Sequence, residues 1–139
     1  SRTAEAALLS EAEQSGGVSW DILVIDRIGV LFDLYGVSDG AFIGGSLVDY
    51  GGHNILEPAF LGKAIFFGPH MRNFQDIADT FLRSQGACQV QNLEELKGKS
   101  LEVLENQAVR EALGQKAAGV MRENGGAVEK SLQHVRSLM

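Results

Sequence analysis

The sequence predicts an α/β fold built on a doubly wound, Rossmann-like parallel sheet. Three observations lead there. Short apolar runs recur along the first two thirds of the chain, each is followed by a loop and a segment of helical character, and after Asn92 the pattern is helical throughout. Parallel strands require this alternation, because the chain must cross back over the sheet before it can run in the same direction again.

Taken in order, Thr3–Gln14 is rich in Ala, Leu and Glu and reads as a helix, with Thr3 as N-cap and Gly16-Gly17 as its stop. Asp21–Ile25 is a continuous apolar run after its first residue, the mark of a strand covered on both faces. A helix from Val30 to Val37 follows, then a strand at Ala41–Ile43 and another at Ile65–Phe67. Asn73–Arg83 predicts an amphipathic helix with Ile77, Phe81 and Leu82 on its apolar side, and Ala87–Val90 a fourth strand. Helices are expected at Leu93–Lys97, Gln107–Glu123 and Gly126–Met139, the last with Val128, Leu132, Val135 and Leu138 at helical spacing. Four strands make a thin sheet, and a chain opening on a helix is unusual for this class. Together these features suggest a fragment whose first strands lie outside the sequence.

Composition narrows the function classes. The 139 residues suit one domain, with 45% hydrophobic and 22% charged residues. A formal net charge of -6 and the lack of a dense Lys/Arg cluster argue against a nucleic-acid partner. A single cysteine, Cys88, cannot form an intrachain disulfide and reads as a buried, inert thiol in a reducing compartment. No apolar stretch is long enough to span a bilayer, so the chain reads as soluble.

The chemistry concentrates in GGSLVDYGGHNILEPAFLGK, Gly44 to Lys63. It follows a predicted strand directly, and ligands of open parallel sheets bind at such strand ends. Gly44-Gly45 and Gly51-Gly52 permit close approach to the backbone, and a helix starting near Asn54 points free N–H groups into the same space. Asn54 and Glu57 fit two readings. As Asn-x-x-Glu they form a capping box, with Glu57 folding back on the cap. Alternatively, Glu57 accepts from the two hydroxyls of a ribose, as the acidic residue of dinucleotide folds does. Spacing leaves both open. His53 and Glu57 share a helix face, but no third ligand sits at a zinc spacing, and no metal is expected. Ser46, His53 and Asp49 suggest a triad, yet the glycine that completes a nucleophile elbow is absent. Neither G-x-G-x-x-G nor a P-loop occurs. His70 reads as a loop residue, and Lys63 and Arg72 as surface cations.

The run FIGGSLVDYGGHNILEPAFLGKAIFFGPHMRNFQDI resembles 3-deoxy-D-manno-octulosonic acid (Kdo) transferases, the lipid A glycosyltransferases of Gram-negative bacteria. Three motifs match in order: F-V-G-G-S-L, G-G-H-N-x-L-E-P and G-P-H-x-x-N-F. The likeness is dense from Ile25 to Val90. It implies that residues 1–139 are the C-terminal domain of a GT-B glycosyltransferase with a helical C-terminal tail, binding the donor CMP-Kdo. On that resemblance the CMP contacts are Asn54, Ile55, Leu56 and Glu57, together with Ile28, Gly29 and Val30. The latter three stand where the family has Met-Gly-Glu, so Val30 replaces a glutamate and Arg27, just before them, replaces a threonine. The resemblance further implies that a lipid A precursor is the acceptor and that the catalytic glutamate and a membrane anchor lie in an absent N-terminal domain. The whole enzyme then sits at the cytoplasmic face of the inner membrane, needs no cofactor, and is inactive when reduced to this chain. Two alternatives remain: another nucleotide-sugar enzyme of the same fold (a UDP-sugar transferase or an epimerase), and a non-catalytic nucleotide-binding module.

Overall fold

A computed structural model describes residues 3–16 and 19–124. The chain divides into two compact units, Ser1–Leu31 and Phe32–Met139. The helix expected at Gly126–Met139 lies outside the described residues.

The first unit contains β1 (Ala6–Leu8), α1 (Leu9–Ser15) and β2 (Ile22–Val24). The two strands pair in parallel with Ala6 opposite Ile22 and Leu8 opposite Val24. The helix expected across Thr3–Gln14 is therefore wrong in its first half. Helix propensities differ by only about 0.7 kcal/mol among ordinary residues, so ladder pairing with a strand sixteen residues on overrides them at Ala6–Leu8. The idea that the chain opens on a helix falls with it. Nor is β2 covered on both faces: Ile22 and Val24 are 51% and 47% exposed. Its apolar run reflects a two-stranded sheet with one short helix in this unit, too little to bury both sides. The polar ends are well tied. Asp26 accepts from the Ser10 hydroxyl and from the Ser10 N–H, and the backbone N–H groups of Asp21 and Ile22 donate to Glu5 O.

The second unit begins within α2 (Leu31–Val37) and carries a three-stranded parallel sheet of β3 (Gly40–Phe42), β4 (Ala64–Phe67) and β5 (Cys88–Gln89), in that spatial order. Among the described residues, five short strands in two sheets thus replace the four expected, and Leu93–Lys97 extends into a twelve-residue helix. Crossovers are α3 (Leu56–Phe60) between β3 and β4, and a 3₁₀ turn at Arg72–Phe74 running into α4 (Gln75–Arg83) between β4 and β5. The chain ends its described part in α5 (Leu93–Leu104) and α6 (Gln107–Glu123).

Central strand β4 explains the layering. All four of its residues are buried, and successive side chains point to opposite faces. Ile65 and Phe67 enter the larger core with Ile55, Leu56 and Ala59 of the α3 region, Ile77 and Phe81 of α4, and Ala117 and Val120 of α6. Ala64 and Phe66 face the other way, onto Val103 of α5, with Cys88, Leu96 and Leu113 packed around. Helices therefore cover both faces of the sheet, as the doubly wound reading predicts. Cys88 is half-buried, and burial pushes its thiol up, with Lys99 opposing and Glu102 adding to the shift, which suits an unreactive role.

Helix α6 closes the larger core through small residues. A Cβ placed on Gly114 would come 1.9 Å from the Gly62 carbonyl oxygen in the turn after α3. Gly114→Ala must therefore push the helix off that turn. It is expected to destabilise the protein by about 1–3 kcal/mol in a urea unfolding titration; a change below about 0.5 kcal/mol would show that the contact is not tight.

Candidate functional site

The loops at the carboxyl ends of β3 and β4 are joined by one buried side chain. Ser46 is fully buried, its hydroxyl donates to Ile43 O, and it accepts from Gly68 N–H at 2.8 Å. The Ser46 carbonyl in turn accepts from His70 N–H at 2.9 Å. With its hydroxyl so engaged and shielded from solvent, Ser46 is no nucleophile. Asp49, the third member of the apparent triad, pairs instead with Arg72 at the surface.

The second glycine pair serves packing rather than ligand approach. Gly51 and Gly52 adopt left-handed φ of +88° and +75°, which side chains disfavour. A Cβ on Gly51 would overlap the Asn73 amide, and one on Gly52 would reach 2.3 Å from the Met71 sulfur. Asn73 N–H also donates to Gly51 O at 3.1 Å. At the other glycine pair, the exposed His53 ring lies beside Gly44 and Gly45. The segment is thus a compact loop sealed against the β4–α4 connection.

Helix α3 begins at Leu56, two residues later than the Asn54 start expected from sequence. The Asn54 side chain accepts from Leu56 N–H at 3.0 Å, so it closes a turn into the helix. Glu57 behaves differently from the second member of a capping box: its carboxylate has no hydrogen bond or ion pair to a described residue. The box is half formed. Glu57 instead stands in the first turn of α3, half-buried and available. Its charge is felt by Tyr35 on α2, whose phenol is pushed up first by burial and then by Glu57. At five residues, α3 adds little macrodipole, so its contribution to anion binding rests on individual free N–H groups. Ile55 and Leu56, expected to contact CMP, are buried in the core, Ile55 completely, and the Leu56 N–H is already given to Asn54.

Ile28, Gly29 and Val30 lie in the first unit, in the turn after β2. Ile28 is 99% exposed and Gly29 takes a left-handed φ of +93°. Arg27 is not a free cation for an anionic ligand. It makes a two-point pair with Glu13, at 2.6 and 3.0 Å. Lys63 is also engaged, donating to Gly36 O at 3.1 Å. Among the described residues, no group of three or more His, Cys, Asp or Glu side chains is placed to hold a metal, and no helix is long and apolar enough to cross a membrane.

Sequence reasoning missed one feature of this end of the sheet, an open hollow of about 630 Å³ lined by Leu47, Val48, Gln91, Asn92, Leu93 and Glu94.

The half-formed box generates a paired prediction. Asn54→Ala should lower unfolding stability by about 1 kcal/mol through the lost turn, whereas Glu57→Gln should leave it within about 0.5 kcal/mol. Equal losses in denaturant titrations would restore the capping role to Glu57. Ser46→Ala orphans the Gly68 N–H and should cost about 1–3 kcal/mol; an unchanged midpoint would mean that the two loops are not joined there.

No family model matches the chain. Among curated proteins it is similar to a bifunctional glycosyltransferase/methyltransferase of Fusobacterium nucleatum, 47% identical over 87 residues, which are 63% of this chain and 13% of that protein. It is 38% identical over 112 residues to the 3-deoxy-D-manno-octulosonic acid transferase of Haemophilus influenzae, covering 80% of this chain and 26% of that protein. Among solved structures, it superposes on the C-terminal CMP-Kdo binding domain of WaaA from Acinetobacter baumannii with a TM-score of 0.75 and 30% identity, over 85% of this chain and 61% of that one. The chain thus spans 26% of the length of the Haemophilus transferase it matches.

Proposed function

We propose, from the premise that this chain belongs with the 3-deoxy-D-manno-octulosonic acid transferases, that it is the donor-binding half of a glycosyltransferase that takes Kdo from CMP-Kdo. The observation that carries the reading is Glu57. It stands at the helix start that follows the glycine-rich loop, in the matching motif, with a carboxylate no described residue uses. Likeness to a CMP-Kdo binding domain at 30% identity supports the choice of donor.

In this reading the Glu57 carboxylate accepts from the two ribose hydroxyls of CMP. Backbone around Asn54 faces the nucleotide and meets its phosphate, while Ile55 and Leu56 hold the segment in place from the core, the Leu56 N–H serving the Asn54 side chain. The turn at Ile28, Gly29 and Val30 supplies a second, backbone-only contact, because Val30 cannot replace the carboxylate of the family's glutamate. The reaction is displacement at the anomeric carbon: a hydroxyl of the lipid A precursor forms the new C–O bond, the bond to the CMP phosphate breaks, and the hydroxyl proton passes to a base. That base is a glutamate of the acceptor-binding domain, which also carries the membrane anchor and holds the whole enzyme at the cytoplasmic face of the inner membrane. This chain positions the donor and offsets the charge that grows on the leaving phosphate with preoriented N–H donors. Without the acceptor domain it binds but does not transfer.

Calorimetric titration of the chain with CMP, UMP and NAD tests the proposal. CMP should bind in preference to the other two, and Glu57→Gln should weaken it about tenfold, the scale of a lost hydrogen bond to a charged group. Tighter binding of UMP or NAD would contradict the donor assignment. CMP affinity unmoved by Glu57→Gln would remove Glu57 from the site.

A further inference from the structure

The loop between β3 and α3 positions one ring whose polar atoms the fold does not use. Gly52 N–H donates to Gly45 O at 3.0 Å, which closes the loop on itself and returns the chain to the exit of β3. Gly52 is also held from the β4 side, since its Cβ position lies 3.4 Å from His70 O, and His70 N–H donates to Ser46 O at 2.9 Å. His53 follows directly, and its ring stands over the strand exit. A Cβ on Gly45 would come 3.5 Å from His53 Nε2 and 3.6 Å from its Cδ2, and one on Gly44 would come 3.9 Å from Cδ2. These are ordinary contact distances, so the ring has a defined place beside the two glycines. His53 is nevertheless exposed, and neither of its ring nitrogens has a hydrogen bond or ion pair to a described residue.

We infer that His53 is the side chain that meets the phosphate of the donor nucleotide, donating an imidazole N–H to a phosphate oxygen. This rests on the proposed nucleotide-binding reading. Charge leads to it. The chain carries a formal net charge of -6 and the proposed site contains Glu57, so an anionic ligand needs a compensating donor there. Arg27, Lys63 and Arg72 are committed to Glu13, Gly36 O and Asp49. His53 is uncommitted, and it directly precedes Asn54, whose backbone meets the phosphate in that reading. His70 enters this end of the sheet through its backbone, whereas the His53 ring itself stands over the strand exit. The other titratable groups nearby leave the role open to it: Asp49 and Arg72 neutralise each other, Tyr50 packs at Gly45 through its Cβ, and Glu57 repels a phosphate. An imidazole donates in its neutral as well as its charged form, and a bound phosphate favours the charged one.

The test compares CMP with cytidine, which lacks only the phosphate, by chemical-shift titration of wild type and His53→Phe. The substitution keeps a ring beside the glycines and removes both nitrogens, and a thermal melt checks that the fold is retained. His53→Phe should weaken CMP about tenfold, the scale of a lost hydrogen bond to a charged group, and leave cytidine unchanged. Equal weakening of both ligands would show a merely structural role and overturn the inference. Unchanged CMP affinity would overturn it too. In parallel, the unsubstituted chain labelled with ¹³C-histidine gives an answer that does not depend on the variant folding. The His53 ring resonances, assigned through their own backbone amide, should move with CMP and stay still with cytidine; a ring blind to CMP, or equally sensitive to cytidine, counts against the inference. If wild type binds no CMP at all, the donor assignment fails and this inference fails with it. CMP binding that is indifferent to His53 fails the inference alone.

Discussion

The site depends on a constraint set below it, the linkage of two loops by the Ser46 hydroxyl. The hydroxyl donates to Ile43 O, just past β3, and accepts from Gly68 N–H, just past β4, so the two strand ends are held together. Such a bond is strong in effect because it is buried: losing it leaves a desolvated N–H with no substitute. The loop that carries Gly51, Gly52 and His53 then lies against Met71 and Asn73, and it delivers the chain to α3 in a fixed place. Glu57 is presented by that delivery. It has no hydrogen bond or ion pair of its own to a described residue.

A division of labour follows. Gly51 and Gly52, Ser46 and Asn54 are spent inside the protein, on close approach, on loop linkage and on closing a turn. Glu57 is left with no hydrogen bond or ion pair to a described residue. Polar residues that a fold has already satisfied have little to offer a ligand, whereas a carboxylate with no protein partner keeps its acceptor positions for one. The same accounting removes Arg27, Lys63 and Arg72 as ready-made phosphate clamps, since each is engaged by Glu13, Gly36 O or Asp49.

Much of the second unit was legible in the sequence. Ile65–Phe67 reads as a strand from its apolar run, which the structure extends by one residue to Ala64 with cover on both faces, and Ile77 and Phe81 mark the buried side of α4 by spacing alone. The bounds of α6 at Gln107 and Glu123 are those expected, helped by Asn106, whose side chain caps the helix. Strand β1 was not legible, because Ala6-Ala7-Leu8 favours a helix locally and becomes a strand only through a partner sixteen residues away. Exposure of β2 was equally hidden, since apolar content does not reveal how many layers cover a strand. At the site, Asn-x-x-Glu spacing permits both a cap and a ligand contact, and only the side-chain directions separate Asn54 from Glu57.

Amide chemical-shift mapping of the ¹⁵N-labelled chain during titration with CMP tests the central claim most directly, because it reports where the nucleotide sits. The account predicts that the largest shifts fall on Asn54 to Glu57, with smaller ones at Ile28 to Val30, while the Met71 and Asn73 amides behind the loop barely move. Shifts centred instead on the hollow at Leu47, Val48 and Leu93, or spread evenly over the surface, would contradict it.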